Sequence, residues 1–119
     1  MRRYRIVLDQ VMVPYHQRPL AEGVAARVLE AALGGPRGVV QTWLDGRLAA
    51  GEGADRWHCA ARAALDAIEA AFAHFFVGMS RAQIDEARAG ESLTLVLLDE
   101  NGEDLPDPLA QEEGGRIAA

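Results

Sequence analysis

From Asp55 to Val77 the chain runs without a glycine or proline, and Trp57, Ala61, Ala64, Leu65, Ile68, Phe72, Phe75 and Met79 recur along it at helical spacing. A stretch of that length and period predicts one long helix whose apolar face must be covered by the rest of the fold. Asp55 is placed to cap its start by accepting from the exposed first-turn amides, and Gly78 ends it. On the far side Arg56, Arg62, Asp66 and Glu69 are polar, whereas Ala63, Ala67, Ala70 and Ala73 form a smooth strip. Such a strip permits close approach of another backbone, so Ala63, Ala67 and Ala70 mark a surface on which a second copy of the chain would pack.

The flanking segments supply partners for that helix. Tyr4, Ile6 and Leu8 alternate with Arg3, Arg5, Val7 and Asp9, a period of two that predicts a strand. The run Val11, Met12, Val13 breaks the alternation and suggests a bulge before Pro14. Pro19 suits the first turn of a helix over 19–33 with Leu20, Val24 and Val28 four residues apart and Leu29 and Ala32 widening that stripe, and Gly34, Gly35 and Pro36 stop it. Val39 to Leu44 and Arg47 to Ala50 flank Asp45-Gly46, a pairing that predicts a tight β-hairpin. Ser80 with Gln83 fits a capping box for a short helix ending at Gly90. Leu93 to Leu98 is almost continuously apolar and predicts a central strand buried on both faces. Asn101-Gly102 predicts a second turn, with Glu103 to Leu105 folding back as a short edge strand limited by Pro106 and Pro108.

In this order the elements predict an α+β fold of the ferredoxin-like βαββαβ type, with two main helices on one face of an antiparallel sheet. The rival arrangement sets the later strands as a meander against the long helix. One domain over 1–109 followed by a polar tail over 110–119 is the expected organisation, which suits 119 residues.

Composition narrows the function classes. Cys59 is the single cysteine, so internal disulfides and all-cysteine metal clusters are excluded, and a cytoplasmic setting without a signal peptide is expected. No apolar run approaches the roughly 18 residues of a membrane span, so no membrane association is expected. The net charge of −6 is uneven: Arg2, Arg3 and Arg5 open the chain, while Asp99, Glu100, Glu103, Asp104, Asp107, Glu112 and Glu113 cluster near its end. Direct nucleic-acid binding is disfavoured by that net charge. All twelve basic residues are arginine, which permits paired surface networks, although genomic base composition is the simpler explanation.

Motifs for chemistry are sparse. Asp55, His58 and Cys59 share one helical turn, but a cap and a small buried thiol explain them, and His74 lies about 22 Å further along the helix axis. No metal site and no cofactor is expected. Neighbouring residues on a helix point apart, so His58 does not activate Cys59, and Ser80 has its capping role. No nucleophile elbow, P-loop or dinucleotide fingerprint is present. Asp99 to Asp104 lacks the glycine and closing acid of a calcium loop.

The leading expectation is therefore a non-enzymatic regulatory module, of the inhibitor, antitoxin or accessory-subunit kind. It would bind a protein with a basic surface through Asp99, Glu100, Glu103, Asp104, Asp107, Glu112 and Glu113. The alternative is a small dimeric ferredoxin-like enzyme or ligand-binding protein, with His16, His58 or His74 in a pocket between sheet and helices.

Overall fold

A computed structural model describes residues 2–48 and 52–106. It contains a strand β1 (Tyr4–Asp9), helices α1 (Arg18–Leu33), α2 (Gly35–Leu48), α3 (Glu52–Ala71) and α4 (Arg81–Arg88), and a strand β2 (Ser92–Leu97). Short 3-10 turns precede α1 and follow α3, at Tyr15–Gln17 and Ala73–Phe76. The two strands pair antiparallel, Tyr4 opposite Leu97 and Asp9 opposite Ser92, so the sheet joins the first element of the chain to the last. The class is α+β, but among the described residues there are two strands and not four, and the ferredoxin-like βαββαβ topology is absent.

The difference lies in α2. The Asp45-Gly46 hairpin is instead the last turn of a helix, because burial over this stretch follows a helical period: Val39 and Thr42 are buried and Trp43 and Gly46 half-buried. The Asp45 carboxylate accepts from the Gln41 side chain one turn earlier, at 2.8 Å, which binds a turn-forming residue into the helix. Turn propensity is a weak prior, and burial of Val39 and Thr42 against neighbouring helices overrides it. Ala49 and Ala50, the end of the expected hairpin, lie outside the described residues.

Gly34 and Gly35 do end α1, both in the left-handed region at φ 86° and 90°. The Gly34 amide donates to the Glu30 carbonyl at 3.1 Å. Pro36, however, falls in the first turn of α2, where its missing donor costs nothing. The turn is tight enough that Gly38 meets the Leu33 carbonyl; a Cβ there would stand 1.7 Å from that oxygen.

The long helix opens at Glu52, so Asp55 lies inside its first turns, an acid near the positive end of the helix dipole, and is not the cap. It also ends earlier, at Ala71, with the chain tightening into the 3-10 turn before Gly78 reverses it at φ 87°. The expected core face holds: Trp57, Ala61, Ala64, Leu65, Ile68 and Phe72 are buried, with Phe75 half-buried at its margin.

On α1 the buried face is Ala21, Ala25, Ala26 and Leu29, one position round from the expected Leu20, Val24, Val28 stripe, and Leu20 is 65% exposed. α1 and α3 make the most extensive helix contact in the molecule, and Ala60, Ala61 and Ala64 answer the α1 alanines from the α3 side of the same core. The Ala63, Ala67, Ala70 strip lies off this contact: Ala63 and Ala70 are exposed and Ala67 half-buried.

The sheet covers the helices with Tyr4, Ile6, Leu8, Leu93 and Leu95. β2 is therefore neither central nor buried on both faces; Thr94 and Ser92 are exposed, because no second helix layer lies outside the sheet. Tyr4 also donates to the Glu30 carboxylate on α1, which Arg2 holds at 2.6 Å. These contacts keep the Glu30 carboxyl below its ordinary range, chiefly through Arg2. The Ser80–Gln83 capping box is present, the Ser80 hydroxyl accepting from the Gln83 amide at 3.1 Å and the Gln83 side chain from the Ser80 amide at 2.8 Å.

Two substitutions test this packing by urea unfolding. Ala64→Leu should destabilise by about 1–3 kcal/mol, because the α1–α3 contact has no room for three more carbons, while Ala63→Leu changes stability by less than about 0.5 kcal/mol. Gly38→Ala should also lower stability by about 1–3 kcal/mol, since the obstacle is backbone and not a movable side chain.

Candidate functional site

The register of the sheet decides where backbone groups point. The Leu98 amide donates to the Arg3 carbonyl at 2.8 Å, so these two form a hydrogen-bonded pair. Alternation then directs the amides and carbonyls of Leu93, Leu95 and Leu97 away from β1, to the outer edge of β2. One of these positions is engaged. The turn after Asp99 brings the chain back, with an isolated bridge between Leu98 and Asp104 and the Leu105 amide donating to the Leu97 carbonyl at 2.7 Å.

That turn is closed by its own acid. The Asp99 carboxylate accepts from the Asn101 and Glu103 amides at 2.8 and 2.9 Å, and Gly102 takes φ 82°. The fold-back expected for Glu103 to Leu105 is thus present as a single bridge. Beyond it, among the described residues, no hydrogen bond reaches the outward amides and carbonyls of Leu93 and Leu95.

This edge faces a cleft of about 440 Å³ between the end of α2, the first half of α3 and β2. Trp43 and Trp57 form its aromatic wall, their rings 5.0 Å apart and inclined at 61°. Leu93 lies on the strand side, and His58 and Arg62 stand on α3. A smaller hollow of about 150 Å³ shares Trp43 and Arg47 with the cleft and continues along Leu95 to Leu97 as far as Leu105 and Pro106. The Arg47 guanidinium lies 5.3 Å from the Trp43 ring centre, a cation–π contact that rigidifies this wall. The two hollows border each other at Trp43 and Arg47 and form a groove-like surface, with the tryptophans, His58 and arginines on the helix side and β2 on the strand side.

The end of the groove near α4 is closed by an ion network. Arg88 is buried and donates to Asp66, Glu69 and Glu91 at 2.7, 2.8 and 2.7 Å. Arg81 also holds Glu69, at 2.8 Å, and Arg62 stands 3.8 Å from Glu91. The Glu91 side chain is only 4% exposed, and burial pushes its carboxyl up despite both arginines. Glu69 moves the other way, held down first by Arg81 and then by Arg88. Arg88 commits its guanidinium to three carboxylates, so it ties α3, α4 and the start of β2 together.

The residues singled out in the sequence are scattered over the surface. His16, His58 and His74 are exposed; only His58 adjoins the cleft, and His74 stacks on Phe75 at 4.1 Å. Asp55 and Cys59 are exposed as well, and no group of three metal-ligating side chains occurs among the described residues. Of the acidic set, Asp99 is used in its own turn and Asp104 pairs with Arg5 at 2.9 Å. Glu100 and Glu103 stand exposed at the tip, and Asp107, Glu112 and Glu113 lie outside the described residues. The groove is not legible in the sequence because it is built from α2, α3 and β2 together; the pair Trp43 and Trp57 is the signal that could have marked it. No described helix is long and apolar enough to cross a membrane. Comparison with protein-family models, with curated proteins and with solved structures finds no match.

The Arg88 network has a pH signature. Arg88→Met should destabilise by about 3 kcal/mol at about pH 7, because it leaves Glu91 buried without its closest cation. Glu91 has a raised folded value, so its penalty is relieved as pH falls towards it; Glu69 has a lowered one, so the stability it adds is lost in the same direction. Both trends shrink the difference between variant and parent towards about pH 4, measurable as converging urea midpoints.

Proposed function

We propose that the chain is a non-enzymatic protein-binding module that takes up an extended segment of its partner along the outer edge of β2. The observation that carries this is the juxtaposition of the outward amides and carbonyls of Leu93 and Leu95 with the Trp43–Trp57 wall. An extended segment added to a sheet edge gains backbone hydrogen bonds along its length, and pockets for alternate side chains give selectivity. Here the pocket side is aromatic, so the segment would place one apolar side chain against Trp43 and Trp57. Arg62 at the rim, its side chain 65% exposed, favours an acidic neighbour two residues away.

Catalysis draws little support. The histidines are exposed, and none has a carboxylate, serine or cysteine partner among the described hydrogen bonds. The buried charges at the end of the groove are consumed by one another. A regulatory protein of the inhibitor or accessory-subunit kind fits a site that binds without chemistry. Glu100 and Glu103 at the exposed turn would steer a partner with a basic face, acting on the rate of encounter more than on affinity.

Selection from a random-peptide display library on the protein checks this reading. Enriched peptides should show apolar and acidic residues two apart and lose at least about tenfold in affinity to Trp43→Ala. They should retain affinity to Leu20→Ser, a change at an exposed apolar site on α1. Enrichment of peptides insensitive to Trp43→Ala, or no enrichment, sinks the proposal.

A further inference from the structure

We propose that Val77 to Glu91, with α4 at its centre, is a hinged flap held on α3 by ion pairs and not by apolar packing. It lifts as a unit and opens the end of the Trp43–Trp57 cleft. Between Phe76 and Leu93, which are both buried, the chain buries a single residue, and that residue is Arg88. Met79, Ile84 and Ala87 are half-buried, yet none of them is among the side chains that pack against the core cluster. Close backbone packing joins α1, α2, α3 and the two strands, whereas α4 has none of comparable extent with any of them among the described residues.

What holds α4 is charge. Arg81 reaches Glu69, and Arg88 donates to Asp66 and Glu69 on α3 and to Glu91 beyond the end of its own helix. Arg62 of α3 adds a looser contact to Glu91. Docking strips water from Arg88 and Glu91, and the attraction gained is largely offset by that loss of hydration, which is recovered when the groups separate into water. The pairs of Arg81 with Glu69 and of Arg88 with Asp66 each have one partner more than half exposed, where a high dielectric weakens them. Lifting α4 therefore requires no side chain of the core cluster to leave its place.

Both ends of the segment are free to turn. Gly78 takes φ 87° beside Val77, whose side chain is exposed, and Ala89 and Gly90 are exposed at the other end. The Ser80–Gln83 box and the Arg81–Asp85 pair stabilise α4 from within and fasten it to no other element. A helix of eight residues does not persist alone in water, so α4 unwinds as it leaves α3.

Lifting also reshapes the cleft. Arg88, Ala89 and Glu91 line its end and move with the flap, so the open state offers a longer groove along α3. That consequence rests on the partner-binding reading of the groove, whereas the motion of the flap does not.

Native-state amide exchange of the whole chain, followed by NMR at rising urea below the unfolding transition, tests the flap. The amides of Ile84 to Arg88 should open at least about a hundredfold more often than those of Leu65 and Ile68 in α3, with almost no dependence on urea, because a local opening exposes little surface. Glu69→Gln, which weakens the hold of both Arg81 and Arg88, should raise that opening at least about tenfold. Ile84→Ala should change it by less than about threefold, as a half-buried side chain off the core. Amides of α4 that share the urea dependence of Leu65 and Ile68 overturn the proposal, since α4 then leaves only when the whole chain unfolds. A larger effect of Ile84→Ala than of Glu69→Gln overturns it too, by showing that apolar contact holds α4. Local opening together with failure to select any groove-binding peptide supports the flap and removes the partner reading; tighter peptide binding by Glu69→Gln than by the parent supports both.

Discussion

Close approach of α1 and α3 is the constraint on which the rest of the structure depends. Both helices bury alanine in the shared core, Ala21, Ala25 and Ala26 on one and Ala60, Ala61 and Ala64 on the other. Alanine loses no side-chain entropy on burial and lets backbones come together, but it removes little apolar area per residue. Leu29, Val39, Trp57, Leu65, Ile68 and Phe72 supply the larger side chains of the same buried cluster. β1 and β2 are then held against α1 and α3, with Tyr4, Ile6 and Leu8 completing a core that the alanines alone could not supply.

Elements whose signals are local were legible in the sequence. β1 alternates over six residues, the Ser80–Gln83 box is made by neighbours, and Gly34 and Asn101-Gly102 mark conformations that few residues adopt. α2 was not legible because its local signals conflict. Val39, Val40, Thr42 and Trp43 favour strands, Asp45-Gly46 favours a turn, and only the spacing of Val39, Thr42 and Trp43 against neighbours unknown from sequence favours a helix. Losing that one element as a hairpin removes two strands, and with them the ferredoxin-like order. The displaced stripe on α1 has a related origin, since a buried alanine face is less conspicuous than the valines that flank it.

Functional inference from the sequence was drawn to residue types that carry chemistry, namely His58, Cys59 and the acidic run. Part of the charge on the described residues is answered within the chain. Glu30 is held by Arg2, Asp104 by Arg5, and Asp66, Glu69 and Glu91 by Arg88. The proposed binding mode would instead draw its recognition groups from the backbone of β2, which no side-chain pattern announces. The existence of the groove follows from the pairing of β1 with β2 across almost the whole chain, a contact visible only once the fold is known.

A sheet of two strands leaves two edges, and unpaired edges invite association with other chains. This chain treats its edges differently. On β1, Arg18 donates to the Leu8 carbonyl at 3.0 Å, so a charged side chain occupies part of the edge and makes it inhospitable to a further strand. On β2 no comparable charge blocks Leu93 or Leu95; the chain returns beside Leu97 and meets a tryptophan-walled groove. The asymmetry between a β1 edge partly covered by Arg18 and a β2 edge left uncovered among the described residues is what favours the proposed reading of this hollow as a binding groove.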